Sequence, residues 1–103
     1  MRTEALEYTC FETDHELLEA AEAVCDMHED ENINIGLLDG MSAAAVGISG
    51  DQQIIYSYNK MVEILVNRDG MTTEEAIEFI DYNTIRVIDY MPAKPIILYD
   101  FQI

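Results

Sequence analysis

Cys25 and His28 stand three residues apart in a stretch of helical character, with Glu22 and Glu29 close by and Cys10 and His15 upstream. Thiolates and imidazoles at such spacing are zinc ligands, and a structural zinc site takes four of them. No CxxC or HxxxH pattern is present, and Cys25 and His28 fall on an apolar stripe. The expectation is therefore a packed thiol and an imidazole near a helix C-terminus, where its charge complements the dipole. Cys10 with His15 is the remaining thiol–base combination, but nothing in the sequence places the two together or supplies an orienting group. Among 21 Asp and Glu residues no pair stands out for general acid–base work. Asp26-Met-His-Glu-Asp-Glu-Asn lacks the glycine of a calcium loop, and no glycine-rich phosphate loop follows a strand. The residues argue for a non-enzyme with no metal and no cofactor.

Those side chains ride on elements that the periodicity outlines. Thr13 followed by Glu16 forms a capping-box pattern, and Leu17, Leu18, Ala21, Val24, Cys25 and His28 recur at helical spacing. Residues 32–40 read as a connector with a brief extended piece. Ala43 to Ser49 and Gln53 to Tyr58 are apolar runs around Gly50-Asp51-Gln52, a hairpin signal that sets Ile54, Tyr56 and Tyr58 on one face. Asn59 is placed to cap a helix from Lys60 to a stop at Gly70, and Thr72 with Glu75 opens another through Asn83. Pro95 to Tyr99 is a last strand at the edge or beside the hairpin. The predicted order is α-β-β-α-α-β, an α+β fold in which about three helices cover a small antiparallel sheet. With 103 residues the chain is expected to form a single domain, 1–103, with an acidic helical module (1–31) and an α+β body (43–99).

Charge sets the limits on partners. The chain carries 21 acids against five Lys and Arg, a formal net charge of −16, with half its residues hydrophobic. So few cations exclude direct nucleic-acid binding through a basic face, and an anionic lipid surface repels such a chain. No stretch is long enough to span a bilayer, and no secretory signal is visible, so the expectation is a cytoplasmic protein of a bacterial cell with reduced thiols. Residues 1–31 hold eleven of the acids against Arg2 alone. Glu12, Glu16, Glu19, Glu22, Asp26 and Asp30 lie mainly opposite the apolar stripe, about 5 Å apart along a helix axis, against about 3.4 Å for phosphates along a DNA strand. Acidic helix faces commonly serve solvation only, for which a net charge of about 2–8 suffices in a small domain. Tyr56, Tyr58, Tyr82, Tyr90 and Tyr99 form a second enrichment. Packing is their default use, and Tyr56 and Tyr58, next to Lys60, are the candidates for partner contact.

The segments Tyr56-Ser-Tyr-Asn-Lys60, Glu63-Ile-Leu-Val-Asn-Arg-Asp-Gly-Met-Thr72, Glu74-Glu-Ala76, Glu78-Phe79, Tyr82-Asn-Thr-Ile-Arg86 and the closing Pro-Ile-Ile-Leu-Tyr-Asp resemble a family of small bacteriophage and bacterial proteins with no established activity. The resemblance spans about residues 43–99 and leaves out the acidic third. It implies a small α+β fold and a phage or mobile-element setting. In size and charge the chain also resembles the acidic phage proteins that occupy nucleic-acid sites on host defence proteins, including CRISPR effectors and restriction enzymes.

The functional expectation is an inhibitor that mimics nucleic acid, its partner a host protein with a basic nucleic-acid-binding surface. The expected contacts are Glu12, Glu16, Glu19, Glu22, Asp26 and Asp30, with Tyr56 and Tyr58 adding an aromatic face. Neutralising Glu12, Glu16, Glu19 and Glu22 together is expected to abolish binding and leave the fold intact. The alternative is a non-enzymatic accessory or regulatory protein that binds through an apolar and tyrosine face, or forms a homodimer, with acidity serving solubility alone.

Overall fold

The computed structural model describes residues 11–27 and 35–101. Helix α1 (Asp14–Met27) is followed by a 3-10 turn (Ser42–Ala44), strands β1 (Ala45–Ile48) and β2 (Ile54–Ser57), and helix α2 (Tyr58–Asp69). A second helical run then passes from α3 (Thr73–Phe79) through a π turn (Ile80–Thr84) into α4 (Ile85–Ile88), and strand β3 (Ile96–Leu98) closes the fold. This is a small α+β fold with sheet order β1-β2-β3.

The hairpin forms as its turn residues require. Ser49 and Gln53 close it, Gln52 takes the left-handed conformation at φ 64°, and a bulge lies between Ala45 and Gly47. The sheet is mixed, not antiparallel as expected, because β3 pairs with β2 in parallel, Ile55 opposite Ile96 and Ser57 opposite Leu98. A parallel neighbour needs a long crossover, and residues 58–95 supply one through their two helical runs.

Helix α2 begins earlier than Asn59 would have set it. Tyr58 is its first residue, and the Ser57 hydroxyl accepts the Lys60 N–H at 3.2 Å as the cap. Lys60 is thus the third helical position and Ser57 the last strand residue, so strand and helix meet without a linker. Gly70 ends α2 at φ 73°, as its type suggests. Thr72 and Glu75 exchange both capping-box bonds at 3.1 and 2.9 Å.

The π turn sits where residue spacing and core packing meet. Ala76, Ile80, Thr84 and Ile88 recur every four residues, and at 3.6 residues per turn a four-residue step drifts by about 40°. One wider turn takes up part of that drift. Ala76 and Ile80 are fully buried, and Ile88 packs against the same core.

The core gathers Leu17 and Ala21 from α1, Leu38 and Met41 from the connector, Ala44 and Ala45, Ile54 and Tyr56 from β2, Met61 and Leu65 from α2, and Ala76 and Ile80. Gly36 passes so close to the 91–93 segment that a Cβ there would stand 1.8 Å from the Ala93 carbonyl oxygen. That close approach reserves the position for glycine.

Candidate functional site

Helix α1 is built as its sequence implies. The Thr13 hydroxyl accepts the Glu16 N–H at 3.1 Å, while the Glu16 carboxylate accepts the N–H groups of Thr13 and Glu12 at 3.3 and 3.0 Å. Glu16 is therefore committed to capping its own helix. Asp14 is half-buried and accepts a hydrogen bond from the Ser42 hydroxyl, tying α1 to the 3-10 turn that leads into β1. Leu17 and Ala21 face inward, leaving Glu12, Glu19 and Glu22 exposed with Glu16. Among the described residues Glu19 has only the exposed His15 within ion-pair reach, at 3.5 Å. Asp26 lies in the last turn of α1, where its side chain is outside the described part, and Asp30 lies outside the described residues, as do Cys10 and His28.

Few cations oppose these acids. Arg68 grips Asp69 through a two-point fork, Nε to Oδ1 at 2.8 Å and Nη2 to Oδ2 at 3.0 Å, and donates from Nη1 to the Gly40 carbonyl at 2.7 Å. The Arg68 fork holds the Asp69 carboxyl below its ordinary range, and Asp69 in turn raises the guanidinium. No described carboxylate lies within ion-pair reach of Lys60, Arg86 or Lys94. A cleft of about 520 Å³ between the start of α1 and α2 is lined by Glu12, Asp14, Ser42, Lys60, Glu63 and Arg68 among others, acids outnumbering bases. No described group of three His, Cys, Asp or Glu side chains could hold a metal ion, and no described helix is long and apolar enough to cross a membrane.

The tyrosines divide differently from expectation. Tyr56 is fully buried and its hydroxyl accepts the Leu38 N–H at 2.8 Å, so it cannot touch a partner. The strand's alternation put it on the covered face with Ile54. Burial raises its phenol to about 12, with Asp14 adding to the rise. Tyr58 is the first residue of α2 and does not continue that strand face. It is half-buried, its ring 5.0 Å from that of Tyr99 at 33°, and its hydroxyl donates to Asp81 at 3.2 Å. Burial and Asp81 raise it to about 12 as well. The exposed aromatics among the described residues are instead Phe79, Tyr82, Tyr90, Tyr99 and Phe101.

One further residue escapes a reading by local pattern. Asp100 accepts hydrogen bonds from the Ser57 hydroxyl at 2.8 Å and from the Asn59 N–H at 3.3 Å. A carboxylate from the chain's far end thus caps α2 where the helix dipole favours negative charge. Burial opposes its charge, but the Ser57 and Asn59 bonds, with Lys60 nearby, favour the carboxylate and hold its pKa below the ordinary range. Comparison with protein-family models, curated proteins and solved structures finds no match.

Proposed function

We propose that this chain is a non-enzymatic acidic interaction protein that inhibits a host nucleic-acid-binding defence protein by occupying its basic groove in place of nucleic acid. The observation that carries the reading is the uncompensated acidity of the exposed α1 face: Glu12, Glu19 and Glu22 stand in solvent, and among the described residues the single Lys or Arg ion pair is Arg68–Asp69, elsewhere in the fold. Self-repulsion at a net charge of −16 opposes compactness. A cationic partner would turn that strain into binding free energy and would speed capture at low salt. The phage setting, and a CRISPR effector or restriction enzyme as target, rest on the resemblances in sequence and charge.

The test is a pull-down from nuclease-treated bacterial lysate with a salt step, repeated with Glu12, Glu19 and Glu22 changed to Gln. Glu16 is spared because it caps α1. Recovery of a nucleic-acid-binding enzyme that salt or added DNA or RNA displaces, and that the triple variant no longer captures, is the expected result. Equal capture by the triple variant would end the proposal.

A second reading is favoured by the exposure of Tyr90, at 88 %, and Phe101, at 94 %. In it the chain is an accessory or regulatory protein that binds through an apolar and tyrosine face, its acidity serving solubility. Such a complex persists in high salt, whereas charge mimicry does not.

A further inference from the structure

Among the described residues, nothing covers one face of the helical run from α3 to α4. Phe79, Tyr82 and Val87 are exposed at 38, 64 and 54 %, Tyr82 about one turn and Val87 about two turns on from Phe79, and Tyr90 lies just past the end of α4. Phe79 and Tyr82 line a cleft of about 520 Å³ against the α2–α3 turn, together with Met71 and the acidic residues Asp69, Glu75 and Glu78. Phe79 to Ile88 spans about 13 Å of helix axis, room for about two turns of a second helix.

We infer that this face docks a basic amphipathic helix of a partner protein, its apolar side on Phe79, Tyr82 and Val87 and its Lys or Arg side chains on the acidic rim. Charge selects the occupant. The run from Thr73 to Ile88 carries Glu74, Glu75, Glu78 and Asp81 against Arg86 alone. Glu75 is held by the Thr72 cap and Asp69 by Arg68, but no described cation approaches Glu78, so its carboxylate is open to a lysine. Tyr82 presents the ring on which such a cation also rests favourably. A second copy of the chain is the poorer occupant, since it would bring another −16 and a like-charged rim onto this one. The α1 face contributes nothing to this surface, so the inference stands whether or not α1 mimics nucleic acid.

The experiment is fluorescence anisotropy with a labelled amphipathic Leu/Lys helix as probe, against a Leu/Glu helix and a Gly/Lys peptide of the same length. Two exposed-face variants are compared with the parent, Tyr82→Ser with Val87→Ser, and Glu78→Gln, circular dichroism confirming that each is folded. The parent should bind the Leu/Lys helix alone, the double variant should bind about tenfold more weakly, and E78Q should lose a smaller part. The α1 triple variant should keep the Tyr82-dependent share, which separates this result from the pull-down. Equal binding by the double variant, or equal binding of the Gly/Lys peptide, would reduce the effect to diffuse charge and overturn the inference. Self-association of the parent in sedimentation, abolished by the double variant, would assign the face to a second copy and overturn it too.

Discussion

Tyr56 holds the connector to the sheet through a single hydroxyl. Replacing it with phenylalanine keeps the ring but strands the buried Leu38 N–H, and a buried donor without a partner costs about 1–3 kcal/mol. Thermal denaturation of Tyr56→Phe should show a loss of that size. The same hydroxyl gives the fold an alkaline limit. Tyr56 and Tyr58 have folded values of about 12 against an ordinary 10, so the fold prefers their protonated forms. Their contribution is complete below pH 10 and is lost as pH rises towards 12. Titration of tyrosinate absorbance should show a late class that ionises as circular dichroism reports unfolding. Asp100 sets the opposite limit. Its folded pKa lies below the ordinary aspartate value, so its contribution is present above about pH 4 and is lost as pH falls below it. Asp100→Asn should lower the melting temperature at neutral pH and flatten that acid-side loss.

The helices take their ends from short local devices, and those ends place every exposed group. The Thr72–Glu75 box opens the run that carries Phe79 and Tyr82. Thr72→Ala should cost about 1 kcal/mol, read from urea denaturation, since an N-cap replaced by alanine costs about that much. Gly70 and Thr72 are local signals and were legible. The cap of α2 was not, because Ser57 and Asn59 are both good N-cap residues and the choice went to the one whose side chain also donates to Asp100. The π turn lies beyond local pattern as well. Ala76, Ile80, Thr84 and Ile88 show the four-residue step in the sequence, but only packing on the core decides whether the helix or the contacts give way.

Across the whole molecule, charge acts against the fold. With a net charge of −16 and one described Lys or Arg ion pair, added salt should stabilise the protein by screening repulsion more than it weakens attraction. Scanning calorimetry from low to moderate ionic strength should therefore show a rising melting temperature. A falling one would mean that favourable ion pairs dominate. The triple Glu12, Glu19, Glu22→Gln variant should start higher and respond less to salt, the stability counterpart of its expected loss of binding.

Composition, the spacing of apolar residues and the capping pairs by themselves determined the charge, the α+β class, the hairpin, the αα pair and the closing strand. These depend on interactions within a few residues, or on sums over the chain, which the sequence states directly. The tertiary structure alone decided that β3 runs parallel to β2, because the direction of return depends on how the 58–95 crossover packs. It alone buried Tyr56 and left Tyr82, Tyr90 and Tyr99 in solvent, since an alternating strand shows two faces but not which one the helices will cover. It also divided the acids of α1 between Glu16, Asp14 and the open row of Glu12, Glu19 and Glu22, because a carboxylate's task is set by the hydrogen-bond donors that the fold brings to it.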